Sequence, residues 1–561
     1  MIILIEYCTI FLQAIFLCLF LSLSGFLFKK CILNYSDTKN FEENSLFGFI
    51  LIGFISLLIN FFYPLNLTVN NILFLFITYA GYKFGFFKQN KKELIKKLIL
   101  ITCLSFILII HSNVNTPDAL LYHLPYSKII TEHKIIIGLS NLHSRFGFIS
   151  IFQYISSFFN NSLFQTNGLL LPAALLVSNF LFYLLNKFRN DFKNNLSRQK
   201  SFFVYLIIVF SLYSFNRYSG YGNDAQAHIY YFVIVIYFLE FLINKKKILN
   251  FQKILIFSLF TFLLKPFYII SFLIPFLLFF IIRDKYKILN SKSFIFIFSF
   301  FTLWILKTFL TTGCFIYPLK FTCNTSVIWF DSNIDEISIT GESWAKAWPQ
   351  NTNKKLNQVN YIKHFNWVES WIKIHFKVIL EKITPIIIFI IFNFLFFYFT
   401  KCLKKNYQNN NQFFYISFFI INLLFVIIWF VKIPIYRQGL SFIYTFLLFL
   451  FYFVFIKHIN LKKIKKFYKF FIIFIIVIFS AIIIKNTLRI FQDFDNPISP
   501  ALYDNLNSNN LLEVFNENNL FTHYEMINNR VCGFSKSPCT SFNVNINKKY
   551  FFNYLIYYEF K

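Results

Sequence analysis

The sequence predicts an all-α protein, a polytopic helical membrane bundle with roughly fourteen transmembrane helices. Hydrophobic residues make up 57% of the chain and charged residues only 14%. Apolar runs of about 18 or more residues, the length that crosses the hydrocarbon core as a helix, recur along the chain. Basic residues collect in short tracts between these runs, as they do in the cytoplasmic loops of membrane proteins.

The apolar runs define the predicted spans. Lipid offers no partner for backbone N–H and C=O groups, so a helix is the economical structure for each run. The first run lacks the basic region and the small-residue cleavage site of a signal peptide and is therefore interpreted as a retained span. The spans are placed, within a few residues, at 5–28, 46–64, 71–87, 97–111, 167–186, 201–216, 225–244, 254–264, 266–282, 294–311, 384–400, 413–431, 439–456 and 470–485.

Basic tracts predict the orientation. When the spans alternate, all the tracts fall on one side, which the positive-inside rule assigns to the cytoplasm of a bacterial inner membrane. The net charge of +30 is explained by these tracts, so nucleic acid is not expected as a partner. A transmembrane bundle at 1–485 would then carry the outer loops 112–166 and 312–381, and a small extracytoplasmic cap would follow at 486–561.

Four of the nine cysteines form two local pairs, Cys314 with Cys323 and Cys532 with Cys539. Both pairs fall in segments that the charge rule places outside, and disulfides persist in oxidising compartments. The pairs are therefore predicted to be disulfides. Metal binding is the competing interpretation, although neither pair has the short ligand spacing of a zinc site.

Two segments on the predicted outer side contain aromatic or apolar residues but are not predicted to span the membrane. The segment 146–159 is apolar but short, and it is expected to form an interfacial helix late in the outer loop 112–166, after the polar part that contains Asp118. The loop 312–381 carries most of the tryptophans, which indicate either an interfacial aromatic belt or a surface for sugar stacking or for a lid. These tryptophans are Trp329, Trp344, Trp348, Trp367 and Trp371.

The first long polar interruption, from His111 to Ser150, concentrates ionisable residues beside the predicted spans. In a chain so poor in charge, this density makes it the first candidate for chemistry. Asp118 follows the fourth span and precedes an apolar segment, LLYHLPYSKII, so its carboxylate can lie at the lipid boundary and serve as a catalytic base. A helix N-cap is the competing interpretation. The ionisable residues of the loop include Asp118, Tyr122, His123, Glu132, His133, His143 and Arg145.

Asp224 is the second candidate for a catalytic carboxylate. It stands at the outer start of a predicted span, with His228 one helical turn later, and residues at i and i+4 share a helix face. Such a pair could bind a metal or orient an acceptor; a helix N-cap is the competing interpretation of Asp224, and the sequence slightly favours it. Glu240, late in the same span, is expected to extend to the cytoplasmic surface.

Few basic residues lie on the predicted outer side, and they are candidates for binding an anionic leaving group. Arginine suits phosphate because its planar group presents several donors at once, and a cation beside the bilayer is costly unless it is used. Lipid-headgroup anchoring is the better explanation for any one of them taken alone, and phosphate binding is an equal alternative only for the set of four. With His123 and His228, the candidate substrate-binding residues are Arg145, Arg217, Lys265 and Arg437.

The segments PDALLYHLPYSKIITEHKIIIGL and SRFGFISIFQYIS resemble the acidic first loop and interfacial helices of the GT-C class of membrane glycosyltransferases. That class uses sugars linked to polyprenyl phosphate and carries an essential acidic residue in its first long extracytoplasmic loop. Several spans precede Asp118 here, whereas the class usually has one. The segments TTGCFIYPLKFTC, ESWAKAW and VCGFSKSPCT are similar to parts of a family of uncharacterised bacterial polytopic proteins.

The resemblance implies a glycosyltransferase with a polyprenyl-phosphate sugar donor, membrane lipid around it, and a glycan, lipid or protein acceptor at the periplasmic face. The alternatives are a polysaccharide polymerase or ligase and a lipid-linked glycan transporter. A polymerase would use arginines in the large outer loop, which has none. A transporter would need charges deep within spans, and few are evident. A divalent metal is compatible with the enzyme, although no motif indicates one.

Overall fold

The fold is that of a computed structural model in which helices dominate. The structure describes residues 2–35, 40–88, 91–110, 118–193, 198–215, 221–243, 247–282, 284–351, 356–400, 412–454, 467–492, 511–515, 521–527, 531–542 and 544–559. The helices of the first half are α1 (Ile2–Cys31), α2 (Phe41–Asn60), α3 (Leu67–Lys83), α4 (Lys91–Ile110), α5 (Leu124–Glu132), α6 (Ile151–Phe159), α7 (Asn167–Lys193), α8 (Arg198–Tyr213), α9 (Asp224–Ile243), α10 (Lys247–Leu264) and α11 (Leu273–Phe279).

The second half continues the bundle. A π turn at Ala119–His123 precedes α5, and a 3₁₀ segment at Pro266–Phe272 precedes α11. The remaining helices are α12 (Lys285–Leu289), α13 (Lys292–Thr312), α14 (Ile334–Ala345), α15 (Gln358–Ile362), α16 (Val368–Trp371), α17 (Lys377–Phe399), α18 (Gln412–Lys432), α19 (Tyr436–Val454) and α20 (Tyr468–Gln492). The predicted domain boundary after residue 485 falls inside α20.

Among the described residues, nine helices are long and apolar enough to cross a membrane, where the sequence predicted about fourteen spans. The membrane character of the chain is therefore supported, and the higher count is not reached. Two of the predicted spans correspond to shorter apolar helices, at Lys200–Tyr213 and Pro266–Phe279.

The prediction of an all-α fold is wrong at the C-terminal end, where a small amount of sheet forms. One sheet has the strand order β1 (Leu511–Phe515), β2 (Phe521–Met526), β3 (Cys539–Thr540), and the other pairs β4 (Ile546–Phe551) with β5 (Tyr554–Glu559). Strand β5 also bonds to the loop after α5: the Tyr557 N–H donates to the Ile137 carbonyl at 2.9 Å. The tail is therefore folded against the loop that carries Asp118.

The predicted disulfides are present in the structure. Cys314 is bonded to Cys323, and Cys532 is bonded to Cys539. The second disulfide closes a loop on the Asp118 segment, where the Gly533 N–H donates to the Leu120 carbonyl at 2.8 Å.

Helix α9 lies at the centre of the bundle. It contacts α7, α8, α10 and α19, and every residue from Ala225 to Phe241 is buried. Asp224 is the first residue of this helix, so the N-terminus of the buried helix α9 carries a carboxylate.

The segment predicted to be an interfacial helix contains α6. Ser150 caps it, and Ser150 and Gln153 together form a capping box. All nine residues of α6 are buried, so the bundle encloses the helix on every side.

Buried ion pairs join the helices at the end of the bundle where the lysine-rich tracts lie. The Glu43 carboxylate on α2 is 3.2 Å from Lys29 Nζ and 2.6 Å from Lys253 Nζ, and it also accepts from the Tyr237 hydroxyl. The Glu240 carboxylate is 2.7 Å and 3.0 Å from two further lysines, and it is only 6% exposed. The expectation that Glu240 extends to the surface is therefore wrong. The buried charge network comprises Lys29, Glu43, Lys187, Asp191, Lys200, Glu240 and Lys253.

Candidate functional site

Four charged residues from four separate elements converge at the opposite end of α9. Asp118 immediately precedes the π turn, and Asp224 begins α9. Lys265 stands between α10 and the 3₁₀ segment that follows, and Arg437 is the second residue of α19. Since each of them lies at the start of an element, their side chains meet where the packed bundle ends.

These residues form a continuous line of ion pairs, here called the charge chain (Asp118, Arg437, Asp224 and Lys265). Arg437 Nη2 is 3.0 Å from Asp118 Oδ2, and Arg437 Nε is 3.7 Å from Asp224 Oδ2. Lys265 Nζ pairs with the other oxygen of Asp224. One guanidinium therefore joins both carboxylates.

The charge chain is only partly enclosed. The Arg437 side chain is 45% exposed and the Asp118 side chain 35%, whereas Asp224 is 28% exposed and Lys265 is 14% exposed. The Asp118 end is thus open to a ligand, and the Lys265 end is more enclosed.

Asp118 is not acting as a helix cap. Its backbone is already helical, with φ −61° and ψ −38°, and its side chain makes no capping hydrogen bond. The carboxylate instead accepts from Arg437. Of the two interpretations of Asp118 raised by the sequence, the structure removes the cap, while its role as a base stays a prediction.

His123 lies beside the charge chain and is neutral. The Gln153 side-chain oxygen Oε1 accepts from the Ser150 N–H, so the side-chain nitrogen Nε2 faces His123 Nδ1 and donates to it. Burial lowers the pKa of His123 to about 4, although the nearby charges of Asp118 and Asp224 oppose the shift. The proton of the neutral ring is therefore on Nε2, which can act as a hydrogen-bond donor.

Tyr122 and Arg145 border the same region. The Arg145 guanidinium lies 5.6 Å from the centre of the Tyr122 ring, a cation–π distance. Burial, and then the charge of Asp118, raise the pKa of Tyr122 above its usual range. Arg145 thus stands near the charge chain without pairing with either of its carboxylates in the contacts that the structure shows.

His228 faces away from the open side of the site. It is 3% exposed, and its Nε2 is 2.7 Å from the Arg437 carbonyl oxygen. Its Nδ1 is 2.8 Å from the Tyr268 hydroxyl and 3.1 Å from the Ser441 hydroxyl. The ring is therefore enclosed by neighbouring elements and not presented to a substrate.

The structure brings together most of the candidate residues. Asp118, Asp224, Lys265 and Arg437 are in contact, His123 and Arg145 are adjacent, and His228 lies behind them. Arg217 lies outside the described residues. Sequence reasoning missed Gln153, Tyr268 and Ser441. A signal for two of these existed, because Tyr268 and Ser441 follow Lys265 and Arg437 at helical spacing, as His228 follows Asp224.

The tryptophans of the large outer loop do not form one surface. Trp367 and Trp371 are buried at 1% and 6% exposure, whereas Trp344 is 60% exposed. Trp371 Nε1 donates to the Pro434 carbonyl at 2.7 Å. Neither a lipid-facing belt nor an open sugar platform describes the two buried rings.

No group of three or more His, Cys, Asp or Glu side chains that could hold a metal ion occurs among the described residues. The charge chain offers other chemistry. A part-exposed carboxylate can accept a proton, and a guanidinium with a nearby ammonium can hold an anionic oxygen group.

Fold and site together define a polytopic helical membrane protein with a partly open cluster of paired charges at one end of its bundle. The chain belongs to a family described as a domain of unknown function, DUF8201, whose family model matches residues 8–444. All four residues of the charge chain lie within that match. Comparison with curated proteins and with solved structures gives no match.

Proposed function

We propose that this protein is a membrane glycosyltransferase that moves a sugar from a polyprenyl-phosphate donor to a cell-surface glycan, lipid or protein. The observation that carries the proposal is the single guanidinium of Arg437 placed between Asp118 and Asp224, with Lys265 beside it. A sugar transfer from a lipid phosphate needs a carboxylate at one reacting oxygen and a cation at the other, and both are available here.

Asp118 is the proposed general base. The acceptor hydroxyl oxygen attacks the anomeric carbon, its proton passes to the Asp118 carboxylate, and the bond between the anomeric carbon and the phosphate oxygen breaks. The lipid phosphate leaves with the bonding electron pair. Asp118 suits the role better than Asp224, because it is more exposed and, within the described part of the chain, pairs with one cation instead of two.

Arg437 and Lys265 are the proposed phosphate ligands. Arginine presents parallel donors to a phosphate, and it can exchange the Asp118 carboxylate for the donor's phosphate oxygens. That exchange would free Asp118 at the moment when the donor arrives. Asp224 keeps its contacts with Lys265 and Arg437, so it holds the two cations side by side.

The proposed orientation places the charge chain at the periplasmic face of a bacterial inner membrane, with the C-terminal tail as an extracytoplasmic cap. Lysine-rich tracts at the opposite end and the disulfides near the site support this orientation. A full set of about fourteen crossings would also include α3, α4, α8, α19 and the segment Pro266–Phe279.

The substitution Asp118→Asn tests the proposal. We expect it to reduce sugar incorporation into surface glycan by about 10²- to 10⁴-fold, the usual contribution of a general base, at an unchanged protein level. Asp335→Asn is the matched control: it removes a carboxylate from the same predicted outer side, one that is 59% exposed and paired with Lys320. Unchanged sugar incorporation in the Asp118→Asn variant would contradict the proposed glycosyltransferase mechanism.

A lipid-linked glycan transporter is the second candidate, and buried charge within the bundle favours it. Lys307 on α13 is fully buried, and its Nζ has no hydrogen-bond partner in the part of the chain that the structure describes. The apparent scarcity of charges within spans, which counted against transport, is therefore less marked in the structure than in the sequence. If the protein is a transporter, lipid-linked precursor should accumulate on the cytoplasmic side of the membrane in cells that lack it.

A polymerase would instead be indicated by shortened glycan chains with intact single units.

A further inference from the structure

A buried hydrogen-bonded triad lies directly behind the charge chain. His228 Nδ1 is 2.8 Å from the Tyr268 hydroxyl, and the Tyr268 hydroxyl is 2.8 Å from the Ser441 hydroxyl. Ser441 is in turn 3.1 Å from His228 Nδ1, so the three groups form a closed ring. All three side chains are buried, at 3% exposure or less.

The members of the triad come from the same three elements that supply Asp224, Lys265 and Arg437 of the charge chain. His228 follows Asp224 on α9 by one helical turn. Tyr268 follows Lys265 on the 3₁₀ segment, and Ser441 follows Arg437 on α19. Each element thus contributes one charged group to the open site and one polar group to the ring behind it.

The backbone that carries Arg437 is fixed by further donors. Three ring N–H groups from three different elements donate to carbonyls within four consecutive residues. Trp371 Nε1 reaches the Pro434 carbonyl at 2.7 Å, and Trp429 Nε1 reaches the Ile435 carbonyl at 2.9 Å. The Arg437 carbonyl accepts from His228 Nε2 at 2.7 Å. Since a carbonyl only accepts, Nε2 carries the proton and Nδ1 is the acceptor in the neutral ring.

We infer that His228, Tyr268 and Ser441 are positioning residues that hold Arg437 in register with Asp224 and Lys265. A long arginine side chain loses much conformational freedom when it must contact two carboxylates at once. Hydrogen bonds that fix the Arg437 backbone reduce this loss of conformational freedom. The elements that carry His228 and Tyr268 also carry Asp224 and Lys265, so the same packing brings these two charges to Arg437. This inference rests on the proposed function for its catalytic meaning, but its geometry can be tested without any substrate.

The test measures how fast phenylglyoxal modifies Arg437 in the full-length protein in detergent, with the modified peptide quantified by mass spectrometry. We expect His228→Ala to raise the rate about tenfold, because the Arg437 carbonyl loses a buried hydrogen bond and the ion pairs open more often. His228→Gln should restore a rate close to that of the wild type, since an amide N–H can still donate to the carbonyl. Tyr268→Phe and Ser441→Ala should raise the rate by smaller factors.

Tyr231→Phe is the matched control. Tyr231 lies on α9 one turn from His228, is fully buried, and donates to Asn422 Oδ1 on α18 at 2.7 Å. Its substitution by Phe removes a buried hydrogen bond of the same kind to α18 and keeps the ring that packs against Phe442 on α19 and against Tyr268. Equal modification rates in the wild type, Tyr231→Phe and His228→Ala would overturn the inference. A rise in Tyr231→Phe equal to that in His228→Ala would overturn it as well, because general loosening would then explain the result.

Sugar transfer, measured on the same variants, separates this inference from the proposed function. Transfer that falls in His228→Ala and recovers in His228→Gln, together with the expected change in Arg437 modification, supports both. The expected modification pattern without transfer activity in the wild type would support the positioning role and contradict the glycosyltransferase. If His228→Ala showed normal sugar transfer and an unchanged rate of Arg437 modification, the glycosyltransferase would remain supported and the positioning role would be contradicted.

Discussion

The two ends of α9 carry charge in opposite ways. Asp224 at its first turn belongs to the charge chain, where side chains are 14% to 45% exposed. Glu240, about 24 Å further along the helix, belongs to the buried charge network, where Glu43 and Glu240 are only 3% and 6% exposed. The number of cations per carboxylate does not separate the two ends, because Asp224, Glu43 and Glu240 each pair with two cations among the described residues.

What separates the two ends is access to solvent. Loss of one partner from a buried pair leaves an uncompensated charge, so the buried charge network contributes strongly to the stability of the fold. A part-exposed ion pair contributes little to stability, so its residues are available for binding. The comparison therefore assigns structure to one end of α9 and ligand chemistry to the other.

Glu43→Gln should show the largest effect on stability. It leaves the ammonium groups of Lys29 and Lys253 buried beside a neutral amide, and breaking one partner of a buried pair costs about 3–5 kcal/mol. Chemical unfolding of the purified protein in detergent would measure this loss. Asp118→Asn is the matched substitution at the other end, and it should change the free energy of unfolding by about 1 kcal/mol or less. Similar losses in the two variants would break the comparison.

The sequence predicts the membrane bundle and the two disulfides because both depend on local signals. Apolar length identifies spans, and the short separation within each cysteine pair identifies the disulfides. The tail strands were missed although β1 with β2 and β4 with β5 pair between neighbouring segments, because the tail is polar and Asn-rich before its final aromatic run. The contact of β5 with Ile137, more than 400 positions away, could not be predicted from either segment alone.

The candidate site was partly predictable for a related reason. Asp118, Asp224, Lys265 and Arg437 stand out because charge is rare at the starts of apolar elements. That one arginine bridges both carboxylates depends on how α19 packs beside α9, which no local pattern contains. Burial of Glu240 was missed because its partners Lys187 and Lys200 come from other helices.

The second largest expected effect is a dependence of stability on pH, which arises from two buried histidines in the outer loop 112–166. Burial lowers the pKa of His123 to about 4, and burial together with the Arg145 charge lowers the pKa of His143 to about 4. Between pH 6.5 and about 4 the unfolded chain binds protons that the folded chain does not, so these histidines reduce stability as the pH falls. Each one contributes a slope of up to about 1.4 kcal/mol per pH unit.

His143→Asn should remove one of these two contributions. Asparagine can still accept from the Arg145 N–H, as His143 Nδ1 does at 3.0 Å, so the local turn is kept. The free energy of unfolding of the wild type should therefore fall more steeply than that of the variant as the pH is lowered from 7 to 5. A parallel pH dependence in the two proteins would mean that His143 titrates normally and that this loop is more open than the structure indicates.

Glu132→Gln should have the smallest effect, and it repeats the Glu43 substitution where solvent reaches the pair. Glu132 Oε1 is 2.9 Å from Lys128 Nζ, and Oε2 accepts from the Ser537 hydroxyl at 2.7 Å. Burial opposes ionisation, but the hydrogen bonds from Lys128 and Ser537 hold the pKa of Glu132 below its usual range, so its contribution is complete at neutral pH and is lost as the pH falls through that pKa. With the Glu132 side chain 36% exposed, we expect a loss of about 1 kcal/mol or less that shrinks further in high salt. The Glu43→Gln loss should not change with salt, because solvent ions do not reach a buried pair. If salt weakened both variants' effects equally, exposure would not be what distinguishes the two ends of the bundle.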